Sequence, residues 1–237
     1  MWNFKLIHID TTVSIRQTKE YVKRYAEWLG VELIVIKPER TFKEYAEKFG
    51  MWPSLYPQRF RWCYRYLKLQ PLVKYIHSEY REDDLVVMGV RKGESKFRDK
   101  FYTAVFFERD YDGVRARVWA PLLHVDEPTL ARLIERYGIP KNPVWRFGFS
   151  GECLCLAGSP IHNIALVLRY FPEERKMLLE IDDVINKNRR SGPSAPFRLA
   201  QAGYGSLREF YQQVVKVQLT LDDFVMPYKS CEGACML

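Results

Sequence analysis

Short apolar runs and amphipathic segments alternate from the start of the chain. Phe4–Ile9 and Glu32–Ile36 are apolar runs rich in β-formers, which is typical of buried parallel strands. Between them, apolar residues recur at helical spacing over Lys19–Leu29, with Thr18 placed to cap the helix and Gly30 placed to end it. This part of the sequence therefore predicts a strand, a helix and a second strand.

The alternation continues through the middle of the chain. Further strands are predicted at Leu85–Val90, Phe101–Glu108 and Arg115–Trp119, and further helices at Thr41–Phe49, Pro71–Tyr80 and Asp126–Tyr137. Strands that alternate with helices favour a parallel sheet covered by helices on both faces. We therefore predict an α/β fold with a doubly wound, mostly parallel sheet.

Towards the C-terminus the pattern changes to a loop followed by helices. The loop covers residues 142–158 and contains Cys153 and Cys155. Helices are predicted at Ile161–Tyr170, Pro172–Asn188 and Ser206–Val217, with a linker rich in Gly, Pro and Ser at Arg189–Gly205. We predict an α/β core over residues 1–145, and a cysteine-containing loop, a helical C-terminal subdomain and a tail over residues 146–237.

The charge balance narrows the choice of partners. Lys and Arg number 37 against 29 Asp and Glu, a net charge of +8, which favours an anionic partner such as a nucleotide, a sulfate ester or a nucleic acid. The sequence has no apolar run of about 18 residues, so we predict no membrane span. The N-terminus lacks the cleavage region of a signal peptide, and we expect the protein in the cytoplasm.

The stretch Arg59–Pro71 concentrates cations and aromatic rings around one cysteine, Cys63. Neighbouring arginines create a positive field that favours the thiolate, and thiolates attack sulfur or bind soft metals. The same arginines can bind phosphate or sulfate with two parallel hydrogen bonds. The alternative is a basic helix start with solvated arginines and a half-buried cysteine.

The remaining cysteines form two close pairs, Cys153 with Cys155 and Cys231 with Cys235. A disulfide framework is disfavoured in a reducing compartment, so clustered cysteines favour metal binding or redox chemistry. Neither pair has the two-residue spacing that is usual for zinc ligands, and ordinary buried thiols are the alternative.

Several short motifs occur in one order along the chain. They are Arg61-Trp62-Cys63-x-x-x-Leu67-Lys68-x-x-Pro71-Leu72, Gly89-x-Arg91-x-x-Glu94-Ser95-x-x-Arg98, Pro121-Leu122, Asn142-Pro143 and Gly151-x-Cys153-x-Cys155. In this order, over roughly residues 4 to 158, they resemble the phosphoadenosine phosphosulfate (PAPS) reductase family of the PP-loop adenine nucleotide alpha-hydrolase-like superfamily. Asp10-Thr11-Thr12 is similar to the Asp-Thr-Gly segment of that family, from which Thr12 and, further on, Gln17 depart.

The resemblance implies a nucleotide site at the carboxyl edge of the sheet. An adenine nucleotide or sulfonucleotide would be the ligand. The residues that would line the nucleotide, face its phosphate or sulfate groups, or shape the charged loop are Asp10, Thr11, Arg61, Lys68, Arg91, Glu94, Ser95 and Arg98. For the charged loop, the alternative is a solvated surface with weak ion pairs.

The resemblance also implies a metal centre. Cluster-bearing members of the family hold a 4Fe-4S cluster through a cysteine pair in the first motif and a Cys-x-x-Cys in the later one. Here Trp62 replaces one partner of Cys63, and the later pair is Cys153-x-Cys155. We predict Cys63, Cys153 and Cys155 as ligands, with one iron open or bound by a tail cysteine, and with zinc as the alternative metal.

The tail implies thiol chemistry. Family reductases carry a nucleophilic cysteine in a C-terminal Glu-Cys-Gly segment, and the tail of this chain contains Cys231-Glu232-Gly233 and Cys235. Cys231 or Cys235 would attack the sulfur of a sulfonucleotide and a second thiol would release sulfite, with a thioredoxin-like protein as reductant. A frayed terminus with incidental cysteines is the alternative.

One family element is missing from the sequence. The pyrophosphate-binding Ser-Gly-Gly-x-Asp-Ser loop and its strand would precede Phe4. We expect one of three explanations: a start upstream of Met1, a loop supplied by a partner or another subunit of an oligomer, or loss of the nucleotide activity.

Two other functions stay open. One is an iron–sulfur sulfurtransferase that acts on tRNA or DNA, which the net charge and the aromatic residues favour. The other is a non-catalytic subunit.

Overall fold

The computed structural model of the protein describes residues 4–54, 61–94, 96–148, 153–189 and 194–216, without the side chains of residues 96–98, 215 and 216. No helix within these ranges is long and apolar enough to cross a membrane.

The N-terminal part of the fold is a β–α–β unit. β1 (Lys5–Ile9) and β2 (Glu32–Ile36) pair in parallel over their full length. α1 (Arg16–Leu29) forms the crossover, and Gly30 ends it in the left-handed conformation with φ of 67°. Because the strands are parallel, their carboxyl ends share one edge, and Asp10 begins the loop at that edge.

A long helical stretch follows α2 (Phe42–Phe49). It consists of α3 (Trp62–Tyr64), a π-helical segment (Arg65–Leu69) and α4 (Gln70–Glu79), which continue one another. π-helical turns are rare and occur frequently at functional sites. This stretch carries Cys63 and Lys68 of the first motif.

A second sheet contains the next three strands. The elements are β3 (Val86–Val87), α5 (Lys96–Phe101), β4 (Phe106–Tyr111) and β5 (Val114–Trp119), followed by α6 (Glu127–Arg136). β5 is central, parallel to β3 and antiparallel to β4.

The C-terminal region is helical. Its elements are a 3₁₀ helix (Pro143–Phe147), α7 (Ile161–Tyr170), α8 (Pro172–Lys187), α9 (Phe197–Gln201) and α10 (Leu207–Lys216). Apolar faces of α7, α8 and α10 pack in one core with residues from the first half of the chain, among them Val13, Trp62 and Leu67. Each large side chain that this core buries stabilises the fold by about 1.5–3 kcal/mol. The two halves of the sequence therefore share their main core.

Two carboxylates of α8 hold the N-termini of other helices. Glu174 accepts a hydrogen bond of 2.9 Å from the backbone N–H of Arg16, in the first turn of α1. Asp182 accepts from the backbone N–H groups of Leu207 and Arg208 at 3.2 and 3.0 Å, in the first turn of α10. Free N–H groups at a helix N-terminus favour a negatively charged acceptor. α8 thus connects both ends of the fold through polar as well as apolar contacts.

The prediction of an α/β fold with mostly parallel strands and a helical C-terminal region is confirmed. Two of the three strand pairings in the described ranges are parallel. These strands hydrogen-bond as one two-stranded and one three-stranded sheet, a division that the hydrophobic pattern does not predict.

Three local predictions are wrong. α1 begins at Arg16 and its N-cap is Ile15, whereas Thr18 is buried and accepts a hydrogen bond from Asn142. The strand predicted at Phe101–Glu108 is β4, Phe106–Tyr111, which lies closer to the hairpin turn. The two-residue turn at 112–113 sets the register of this strand against β5. The predicted linker contains α9.

Candidate active site

The loop after β1 is fixed by its own polar side chains. The carboxylate of Asp10 accepts a hydrogen bond of 2.9 Å from the Thr12 amide and lies 2.8 Å from Lys19 Nζ. Burial alone would raise the pKa of Asp10, but the hydrogen bonds and the charge of Lys19 outweigh it and lower the pKa. Asp10 is therefore ionised at neutral pH and orders the loop at the carboxyl edge of β1.

The loop that carries the later cysteines returns to this edge. Cys153 forms a β-bridge with Ser14, and the amide of Leu154 donates a hydrogen bond of 2.7 Å to the carbonyl of Val13. Leu156, which is buried, has a φ of 58°, a conformation that costs a non-glycine residue about 1–2 kcal/mol. Strained backbone of this kind clusters at functional sites.

Two thiols meet at this junction. The side chains of Cys153 and Cys155 form a hydrogen bond, which is the main cause of a pKa of Cys153 well above its ordinary value, and burial raises the pKa further. The hydroxyl of Thr11 and the ammonium of Lys68 lie beside Cys153 and act in the opposite direction. The structure thus brings together the predicted residues Thr11, Lys68, Cys153 and Cys155, with Cys153 held as a neutral thiol at pH 7.

Cys63 lies in the same hydrophobic core as the two thiols, with 6% of its surface exposed. Within the described ranges, no group of three or more His, Cys, Asp or Glu side chains is arranged to hold a metal ion. The predicted centre takes three ligands from these residues and leaves one iron open or bound by a tail cysteine, and both tail cysteines lie outside the described ranges. The cluster and the zinc alternative stay predictions.

The predicted oxyanion residues of the charged loop form a separate group. Arg91 is largely buried and forms ion pairs with Glu94, at 3.4 Å, and with Glu127 of α6. It also donates a hydrogen bond of 3.4 Å to the carbonyl of Val125. These contacts attach the loop after β3 to α6.

Arg61 packs against an aromatic ring. Its guanidinium lies 5.2 Å from the centre of the Tyr64 ring. Tyr64 also contacts Arg109 of β4, a partly buried cation that the motifs do not include. In the sequence, the one signal for Arg109 is a charged residue inside an alternating strand.

Some predicted residues cannot be placed. Ser95, Cys231 and Cys235 lie outside the described residues, and the side chain of Arg98 does as well.

One cavity lies at the opposite edge of the parallel strands. It has a volume of about 360 Å³ and is lined by the end of α1 and the start of β2, including Gly30, Val31 and Leu33. Since ligands of open α/β sheets bind at the carboxyl edge, the junction of Thr11, Lys68 and the two thiols is the better candidate.

One solved structure is similar to part of the chain. A crystal structure of phosphoadenylyl-sulfate (PAPS) reductase from Candida auris, a phosphate complex, has a TM-score of 0.49 and 21% sequence identity, covering 64% of this chain and 70% of that chain.

Two relatives come from Methanocaldococcus jannaschii, and both are uncharacterized proteins. One is 24% identical over 173 residues, which is 71% of this chain and 34% of the relative. The other is 34% identical over 98 residues, which is 41% of this chain and 22% of the relative. The chain therefore matches about a third or less of the length of these relatives.

The family comparison covers the first 152 residues of the chain. The model of the phosphoadenosine phosphosulfate reductase domain matches residues 1–152, which is more than half of the chain. This range includes β1 to α6 and ends one residue before Cys153. The chain belongs to the phosphoadenosine phosphosulfate reductase domain family.

Proposed function

We propose that this protein reduces a sulfonucleotide, adenylyl sulfate or its 3′-phosphate, to sulfite in a thiol-dependent reaction. The observation that supports this most directly is the thiol pair of Cys153 and Cys155 beside Thr11 and Lys68. It combines reducing groups with a cation at the edge of the sheet where α/β proteins bind ligands.

The chemistry needs two thiols. A thiolate attacks the sulfur of the sulfonucleotide, so that an S–S bond forms, the S–O bond to the nucleotide phosphate breaks, and AMP or its 3′-phosphate leaves. A second thiolate attacks the cysteine sulfur, a disulfide forms, and sulfite leaves with the electron pair of the broken S–S bond. An external dithiol, such as a thioredoxin-like protein, reduces the disulfide.

The raised pKa of Cys153 argues against this thiol as the first nucleophile. A thiol that stays protonated at neutral pH is a poor first nucleophile. We therefore assign the first attack to Cys231 or Cys235 of the tail. The second attack also needs a thiolate, so we assign it to the other tail cysteine, or to the thiol pair once a proton has left it. Lys68 would stabilise negative charge on the thiolate or on the departing sulfite.

The test measures sulfite released from adenylyl sulfate and from its 3′-phosphate, with a dithiol reductant in excess. One of the two variants Cys231→Ser and Cys235→Ser removes the first nucleophile. We expect that variant to lower the rate on the order of 10³-fold. The other tail variant identifies the second thiol: if it keeps activity, the second thiol belongs to the pair of Cys153 and Cys155, and if it also loses activity, the second thiol is that tail cysteine. No sulfite from either substrate with the wild-type protein would refute the proposal.

A sulfurtransferase that acts on tRNA or DNA is the second candidate, favoured by the net charge of +8 and by exposed rings next to arginines. Trp145 is 47% exposed beside the Arg146–Phe147 contact, and Tyr170 is 51% exposed beside Arg169. Such rings can stack bases. This function predicts tRNA binding whose affinity falls steeply with salt concentration, and binding that is absent at low salt excludes it.

A further inference from the structure

Arg109 is a partly buried cation, and its contacts within the described residues are with phenols. Its guanidinium lies 5.1 Å from the centre of the Tyr111 ring and donates a hydrogen bond of 3.4 Å to the Tyr102 hydroxyl. It also forms a hydrogen bond with Tyr64. Burial raises the pKa of Tyr111, so this phenol is neutral at pH 7 and brings no negative charge to the arginine.

The carboxylates next to Arg109 in the sequence lie on the other face of β4. Side chains alternate between the two faces of a strand, and Glu108 and Asp110 are both exposed. Asp110 accepts a hydrogen bond from the Gly113 amide in the hairpin turn. A partly desolvated cation is costly unless an opposite charge is near. The described part of the chain gives Arg109 no ion pair, and an anionic ligand would supply that charge.

A second arginine contacts the same aromatic residue. Arg61 stacks on the Tyr64 ring at 5.2 Å, so the two guanidinium groups lie around one tyrosine. Planar guanidinium groups bind the oxygens of phosphate and sulfate with paired hydrogen bonds.

One helical stretch connects the residue that both arginines contact with the cation beside the thiol pair. Tyr64 precedes Lys68 by four residues, about one helical turn, in the continuous helical stretch. Lys68 is the cation beside Cys153. A ligand bound at Tyr64 would therefore extend towards the thiol pair.

We propose that Arg109, Arg61 and Tyr64 form a binding site for a phosphate or sulfate group, with Arg109 as a contact that the family motifs do not contain. The inference deepens the proposed function, because it takes the anion to be part of the sulfonucleotide. Arg109 then holds one end of the substrate while the thiols act at the other.

The test is calorimetric titration at low salt with three probes: inorganic phosphate, AMP and adenosine 3′,5′-bisphosphate. We expect Arg109→Ala to weaken binding by about 10-fold or more, because it removes charge-assisted hydrogen bonds. Arg109→Lys keeps the charge without the planar fork and should give an intermediate affinity. The matched control is Arg117→Ala, which removes an exposed arginine of β5 that bonds the carbonyl of Asp84 and should leave affinity unchanged.

The probes identify the group that is bound. If Arg109→Ala loses affinity equally for AMP and for the bisphosphate, the site binds the 5′ side of the nucleotide. If it loses affinity for the bisphosphate alone, the site binds the 3′-phosphate. Either result supports the site. Wild-type protein that binds none of the probes, or a folded Arg109→Ala variant that binds all of them normally, overturns it.

If Arg109→Ala does not fold, the Arg109→Lys titration decides in its place, and unchanged affinity there overturns the inference. Failure of the proposed function gives a different result. Arg109-dependent binding without sulfite release would keep the anion site and reject the reductase. Sulfite release together with binding that does not depend on Arg109 would keep the reductase and reject the anion site.

Discussion

Thr12 is a β-branched residue in a conformation that favours glycine. Its φ is 63°, and the related segment of the family has glycine at this position. The hydroxyl of Thr12 accepts a hydrogen bond of 2.7 Å from the backbone N–H of Phe42, at the start of α2. The departure from the family motif therefore replaces backbone freedom with a contact between the loop after β1 and the next helix.

Substitutions at Thr12 separate these two effects. Thr12→Ala keeps the strain and loses the hydrogen bond, so we expect a loss of about 1–2 kcal/mol in the free energy of unfolding. Thr12→Gly also loses the bond but relieves about 1–2 kcal/mol of strain, and should be the more stable of the two. Thr12→Ser retains the bond and serves as the control. Urea unfolding measures all three, and equal destabilisation by Ala and Gly would contradict the argument.

At the level of elements, α8 organises the helical half of the molecule. Asp182 is fully buried, and besides the two amides of α10 it accepts a hydrogen bond of 3.2 Å from the indole N–H of Trp52, 130 residues away. Burial raises the pKa of Asp182 above its ordinary value, because the hydrogen bonds compensate only part of the desolvation. This carboxylate therefore joins α8, α10 and the loop after α2.

We expect Asp182→Ala to lower the free energy of unfolding by about 2–4 kcal/mol, because three donors lose their acceptor. Asp183→Ala is the matched control: Asp183 pairs with Arg208 at the surface, and its loss should cost less than about 1 kcal/mol. Equal effects of the two variants in urea unfolding would contradict the buried role.

The pH dependence of stability follows from the same shift. Because the folded-state pKa of Asp182 is raised, its contribution to stability is full below the ordinary value of 3.8 and is lost as pH rises through the folded-state pKa. Asp182→Asn cannot ionise, so it should lack this decline. Unfolding curves collected from pH 3 upward compare the two proteins, and parallel profiles would refute the assignment.

At the scale of the whole molecule, the predicted metal centre depends on whether Cys63, Cys153 and Cys155 come together. The predicted cluster requires Cys63 to join Cys153 and Cys155, whereas the described residues bring only the latter two into contact. In this structure Cys63 packs with apolar neighbours.

Metal analysis of anaerobically purified protein tests the cluster directly. The prediction is about four irons with matching acid-labile sulfide per chain, both lost in Cys63→Ala. Zinc without sulfide would indicate a structural zinc site in place of the cluster. Protein free of metal would reject both, and would leave Cys153 and Cys155 as a plain thiol pair.

The sequence by itself determined the α/β class, the helical C-terminal region and the family, because these depend on local periodicity and on the order of short motifs. It did not determine the strand register near the turn, where Asp112 and Gly113 both have positive φ and place Tyr111 opposite Val114. That register follows from turn geometry rather than from hydrophobicity.

Only the tertiary structure decided which chemical groups meet. Thr11, Lys68 and Cys153 come from three distant parts of the chain, as do Tyr64 and Arg109 from separate elements. Hydrophobic spacing predicts which face of an element is buried, but it carries no information on which other element covers that face. Packing of the shared core fixes those pairings, and with them the thiol pair and the proposed anion site.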